Sequence, residues 1–153
     1  MLSKKSKYAL KAALYLTGRY GGGPCPVAEI ARVEHIPRKF LEAILLELRN
    51  RGVLHSVKGK AGGFMLARSP AEITVGEIIR VLDGPLALVP CVSVTAYRRC
   101  VECEDENSCG IRMLFKEVRD ETARLLDGTT LSTMWRRAQE TRAAGGEGTM
   151  YHI

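Results

Sequence analysis

The chain of 153 residues has no apolar run long enough to cross a bilayer; its longest, Leu86 to Pro90, falls far short of the roughly 20 residues a spanning helix needs. The lysines near its start are not followed by the apolar stretch and cleavage site of a secretory leader, so a cytoplasmic location is expected. Acidic residues are scarce in the first half. Residues 1–70 hold only Glu29, Glu34, Glu42 and Glu47 against 13 Lys and Arg, a net charge of +9, whereas the rest is net −3. Histidine is sparse as well: His35, His55 and His152 each stand alone and are expected to be surface or core residues. A phosphate loop is absent, because Gly59-Lys60 lacks the four-residue spacing between glycines and is followed by Ala61 where Ser or Thr is required. No internal repeat is present. What remains is a single domain whose basic half suits a polyanion.

The cysteines form an odd set of 5. Cys25 lies alone between two prolines and reads as structural, whereas Cys91, Cys100, Cys103 and Cys109 fall within 19 residues. An odd number of thiols with no leader argues against a secreted disulfide scaffold and for a metal site or a thiol switch.

Apolar spacing organises the rest. Ala9, Leu10, Ala13, Leu14 and Leu16 predict a first helix over Ser6 to Tyr20, stopped by Gly21-Gly22-Gly23-Pro24. Pro26 opens a short second helix to about Val33, and Leu41, Ile44, Leu45 and Leu48 give a third over Arg38 to Asn50. Two strand-like runs, Val53 to Val57 and Gly63 to Ala67, flank the glycine-rich Lys58-Gly59-Lys60-Ala61-Gly62 and predict a hairpin. Thr74 with Glu77 caps a fourth helix that ends at Gly84-Pro85. The expected fold is therefore mainly α with a small β-hairpin: a winged helix-turn-helix over residues 1–84. A cysteine-rich sensor loop follows over 85–109. Ile111, Leu114, Phe115, Val118, Thr122 and Leu125 then mark a long amphipathic helix, capped by Ser108 and explained most simply by burial against a second copy. With a terminal helix at about Thr133 to Arg142 it forms the unit 110–142, and 143–153 reads as a mobile tail.

A helix at Arg38 to Asn50 fits a major groove, which places Arg38 and Lys39 at base edges or phosphates. Glu42 either accepts from a cytosine amino group or pairs with Arg38 one turn away. Lys58, Gly59 and Lys60 at the hairpin tip suit a wing, because glycine lets the backbone approach phosphate or minor groove closely. Soft thiolates at the spacing Cys91, Cys100, Cys103, Cys109 favour an iron-sulfur cluster, with structural zinc, a metal-free thiol switch or inert cysteines as alternatives. Glu102, Glu104, Asp105 and Glu106 oppose such an anionic site, and Arg98, Arg99 and Arg112 partly offset them. A thiol oxidoreductase built on Cys100 and Cys103 lacks the strand–helix context it needs. No enzymatic site is expected.

Taken together, Ser6-Lys7-Tyr8-Ala9-Leu10, Phe40-Leu41-Glu42, the run from Ser56 to Leu66 and Thr74-Val75-Gly76-Glu77-Ile78-Ile79 ahead of the cysteines resemble the Rrf2 family of bacterial regulators, the group with the IscR, NsrR and CymR types. The resemblance spans about residues 1–135. It implies homodimers on partly palindromic promoter DNA, many holding a two-iron or four-iron cluster on this loop. Cys103 and Cys109 match the last two cysteines of the family's cluster motif, while Cys91 or Cys100 takes the first role. Arg112 stands where some members carry a histidine ligand, Lys7 where others carry an acid, and Lys58 where the wing arginine stands. The preferred ligand set is Cys91, Cys100, Cys103 and Cys109. The reading is a repressor controlled by an iron-sulfur cluster, with a metal-free thiol-redox or cysteine-metabolism regulator as the alternative.

Overall fold

The computed structural model describes residues 2–145. Six helices and one hairpin follow in the order α1 (Lys4–Gly18), α2 (Val27–Glu34), α3 (Arg38–Asn50), β1 (Leu54–Val57), β2 (Gly63–Leu66), α4 (Val75–Asp83), α5 (Gly110–Asp127) and α6 (Leu131–Ala143). The winged helix-turn-helix is present with the strands in antiparallel register, Leu54 opposite Leu66 and Val57 opposite Gly63. Helix α1 begins two residues before the predicted start, because the Ser3 side chain accepts from Ser6 N and caps it. Ser3 also bonds Asp83, which ties the start of α1 to the end of α4.

The apolar stripes of α1 to α4 close on one core. Leu41, Ile44, Leu45 and Leu48 of α3 are fully covered, as are Ile30 of α2, Val53 and Ile78. Helix α2 stops at His35, which takes a left-handed backbone (φ 54°, ψ 47°) and lets the chain turn into α3. Thr74 caps α4 as its sequence predicts, accepting from Glu77 N at 3.1 Å. Cys25 is buried and pairs by backbone with Phe64 in both directions, at 2.8 and 2.9 Å, so the chain before α2 extends the hairpin.

The two C-terminal helices behave differently from one another. Helix α6 starts at Leu131 because Thr130 caps it, and Leu131 is wholly buried in the winged-helix core. The terminal helix thus packs back on α1, with Trp135 lying against Gly18. Helix α5 buries no residue at all. Its C-terminal end is fastened nonetheless: Arg80 of α4 grips Asp127 bidentately at 2.6 and 2.8 Å, and just beyond it Val75 N donates to Thr129 O while Leu131 N donates to Ile73 O. Near its other half, Arg119 donates to Val92 O. No described helix is long and apolar enough to cross a membrane. Most of the tail read as mobile, and with it His152, lies outside the described residues.

Candidate DNA-binding face and thiol cleft

The first turn of α3 presents Arg38, Lys39 and Glu42 to solvent. Glu42 is engaged with its neighbour, its carboxylate accepting from Arg38 Nε at 2.9 Å. Between these residues Phe40 is 42% exposed, an apolar group on an otherwise polar face. Its ring meets Tyr8 of α1 edge-on, the centroids 5.8 Å apart, and the Lys4 ammonium lies over the Tyr8 ring. Charge patterning alone does not single out this aromatic pair; only the packing of α1 beside α3 creates it.

The hairpin tip carries Lys58, Gly59 and Lys60, all exposed. Gly59 adopts φ 111°, a conformation that favours glycine, and a Cβ at Gly62 would lie 2.2 Å from Val57 O. The tight turn therefore depends on its glycines. It leaves two lysines on a small tip with no side chain between them.

The cysteine segment is partly ordered. Cys91 is buried and sits in a single 3-10 turn, Pro90–Val92, rather than in irregular chain. Cys100 is exposed, and Cys103 N donates to Cys100 O at 3.3 Å, so the two share a turn. Arg99 donates to the carbonyls of Cys103 and Glu104, at 3.0 and 3.2 Å.

Cys109 occupies the N-cap of α5, its Sγ accepting from Arg112 N at 3.5 Å. This corrects the expected cap, Ser108. The reason is local: Asp105 accepts from Asn107 N and from Ser108 N, at 3.0 and 3.1 Å, which folds Ser108 into the preceding turn and leaves the next residue to start the helix.

Cys91, Cys100, Cys103 and Cys109 all line one cleft of about 460 Å³, together with Val89, Glu102, Glu104, Asp105, Ser108, Ile111 and Arg112. Among the described residues, no three His, Cys, Asp or Glu side chains gather at metal-ligating separation. The four sulfurs thus share a cleft and not yet a coordination sphere. Desolvation, then the Glu102 carboxylate and the neighbouring Cys91 and Cys103, hold the Cys100 thiol above its usual value. One observation opposes this acidic environment: the Nε of Arg112, which lines the same cleft, is buried and has no acceptor. A soft donor set and an orphaned cationic N–H fit an anionic sulfur-ligated group.

Comparison with known proteins agrees with the fold. The family profile described as Rrf2, iron-dependent transcriptional regulator, matches residues 2–137. A Rhodobacter capsulatus protein named as a putative HTH-type transcriptional regulator, rrf2-like, is 42% identical over 137 residues, covering 88% of this chain and 91% of that protein. The structure of CymR, the global cysteine regulator of B. subtilis, superposes with a TM-score of 0.75 at 32% identity, covering 90% of this chain and 97% of that one. The structure of T. potens IscR gives 0.74 at 29% identity, covering 99% and 96%. These relatives are transcriptional regulators and not enzymes. With the winged helix, the hairpin and the profile match in agreement, this chain belongs to the Rrf2 family of DNA-binding transcriptional regulators.

Proposed function

We propose that the protein is a homodimeric repressor whose grip on promoter DNA is set by an iron-sulfur cluster held by Cys91, Cys100, Cys103 and Cys109. The observation that carries this reading is the convergence of four cysteines on one cleft at the start of α5, a helix whose far end is fastened to α4 of the DNA-binding domain. Arg38, Lys39 and Glu42 enter the major groove, and Lys58, Gly59 and Lys60 follow the backbone or the minor groove. Glu42 exchanges its bond with Arg38 for a base edge when the two side chains are drawn apart by DNA. The exposed apolar stripe of α5 pairs with that of a second copy and sets the spacing of two half-sites.

A cluster, when bound, supplies a charge at this cleft that responds to oxidants and nitric oxide. The chain's own part is mechanical. Cys109 is the N-cap of α5 and Cys91 lies in the turn whose Val92 carbonyl receives Arg119 of that helix, so a change in how the sulfurs are held shifts α5 against α4. A difference of about 1.4 kcal/mol between the two arrangements alters promoter occupancy tenfold.

Anaerobic purification with iron and acid-labile sulfide analysis tests the reading. Stoichiometric iron and sulfide, lost together with promoter control in Cys103→Ser and Cys109→Ser, is the expected result; colourless protein after reconstitution overturns it.

A second reading, a metal-free thiol regulator, is favoured by the sulfurs sharing a cleft without ligating separation and by the likeness to a cysteine regulator. It predicts that chelated, metal-free protein changes promoter affinity on mild oxidation.

A further inference from the structure

We propose that Arg112 is the charge-compensating residue of the thiol cleft, donating from its guanidinium to the anionic sulfur group held there. The inference rests on the cluster reading above. Arg112 stands three residues after Cys109, so the first turn of α5 places both on one side of the helix, and its own backbone N–H donates to Cys109 Sγ. Its side chain enters the cleft with the four cysteines, where Nε is buried and bonds to nothing.

That condition sets it apart from other arginines of the region. Arg119 and Arg124, farther along the helix, close on Asp120 and Glu121, and Arg99 closes on two carbonyls. Three carboxylates, Glu102, Glu104 and Asp105, line the same cleft as Arg112 and still leave its Nε without an acceptor. A covered N–H donor without a partner is unfavourable unless an acceptor completes it, even on a side chain that is only partly buried. The missing acceptor is anionic and lies among thiolates, and four thiolates around iron leave net negative charge on the sulfurs. Asp or Glu at this position would add to that charge, and a neutral residue would leave it uncompensated beside three carboxylates.

Compensation has a measurable consequence. A cation and an N–H donor beside a cluster stabilise the more negative, reduced form, so removing them lowers the reduction potential. Protein reconstituted anaerobically with ferrous iron and sulfide is titrated with dithionite and redox mediators, wild type beside Arg112→Gln, Arg112→Lys and, as a control on the exposed far part of the helix, Arg124→Gln. In Arg112→Gln the reduced-to-oxidised ratio at a fixed poise falls about tenfold, equivalent to about 59 mV for one electron. Arg112→Lys falls less than half as far, because the charge remains, and Arg124→Gln does not move. Loss of iron from Arg112→Gln alone, with Arg112→Lys retaining its iron, is the same result in stronger form.

An unshifted potential in a fully loaded Arg112→Gln overturns the inference while leaving the cluster reading intact. Equal loss of iron from the Gln and Lys variants overturns it too, since charge would then not be what matters. Wild-type protein that takes up neither iron nor sulfide overturns the cluster reading and this inference with it.

Discussion

Gly63 shows how much can rest on one missing side chain. It opens β2 at φ 156°, and a Cβ there would lie 2.1 Å from Cys25 O, inside the backbone pairing that joins Cys25 to Phe64. Gly63→Ala must either break that pairing or push the hairpin away from α2, so it is expected to destabilise by about 2–4 kcal/mol, read as a lower urea midpoint with unchanged slope. Asp127 illustrates a smaller, pH-dependent effect. The bidentate bond from Arg80 holds its carboxyl below the usual aspartate value, against a lesser opposing effect of burial. A group depressed in the folded state stabilises above its unfolded value, near 3.9, and the contribution is lost as pH falls through the lower folded value. The pair is more than a third exposed, which limits it to about 0.5–1 kcal/mol. Urea melts of Asp127→Asn are therefore expected to show that deficit at neutral pH and none once the carboxyl is protonated in both states.

At the scale of the element, α5 gathers the two halves of the proposed function. Its N-cap is a cysteine, a residue type not favoured at that position, while serine is among the best. Cys109→Ser is accordingly expected to leave α5 folded, with helical circular dichroism preserved and stability unchanged or raised by up to about 1 kcal/mol. Iron content and promoter response are expected to fall all the same, which separates sulfur chemistry from helix integrity. The elements themselves were legible in the sequence because their signals are local: Thr74 with Glu77, the apolar spacing of Leu41, Ile44, Leu45 and Leu48, and the glycines of the wing each act within a turn or two. The cap of α5 was not, although its start at Gly110 was, because Asp105 captures the amides of Asn107 and Ser108 and passes the cap to Cys109. A side chain choosing between competing backbone amides is not decided by residue preference.

At the scale of the molecule, the conspicuous feature is an 18-residue helix that covers none of its residues. Ile111, Leu114 and Leu125 are 65%, 56% and 59% exposed, and they recur along one stripe with Val118. An apolar stripe of this length, about 21 Å from Ile111 to Leu125, is left for a second copy by a winged-helix core already closed by α6. Leu114→Asp with Val118→Asp is expected to yield a folded monomer by light scattering coupled to size exclusion. Losing the second half-site contact would weaken promoter binding by at least about 100-fold.

The order of helices and hairpin, the basic first half and the thiol-rich loop were settled by the sequence alone, since periodicity, capping and charge act between residues close along the chain. Tertiary structure alone decided that Cys91 is buried in a turn against α5, that four sulfurs and Arg112 face one cleft, that α6 closes the core and that α5 stays uncovered. Those facts depend on the path of a loop across some 20 residues and on which of several apolar faces finds a partner first. Such choices are made by packing between distant segments, which no local pattern encodes.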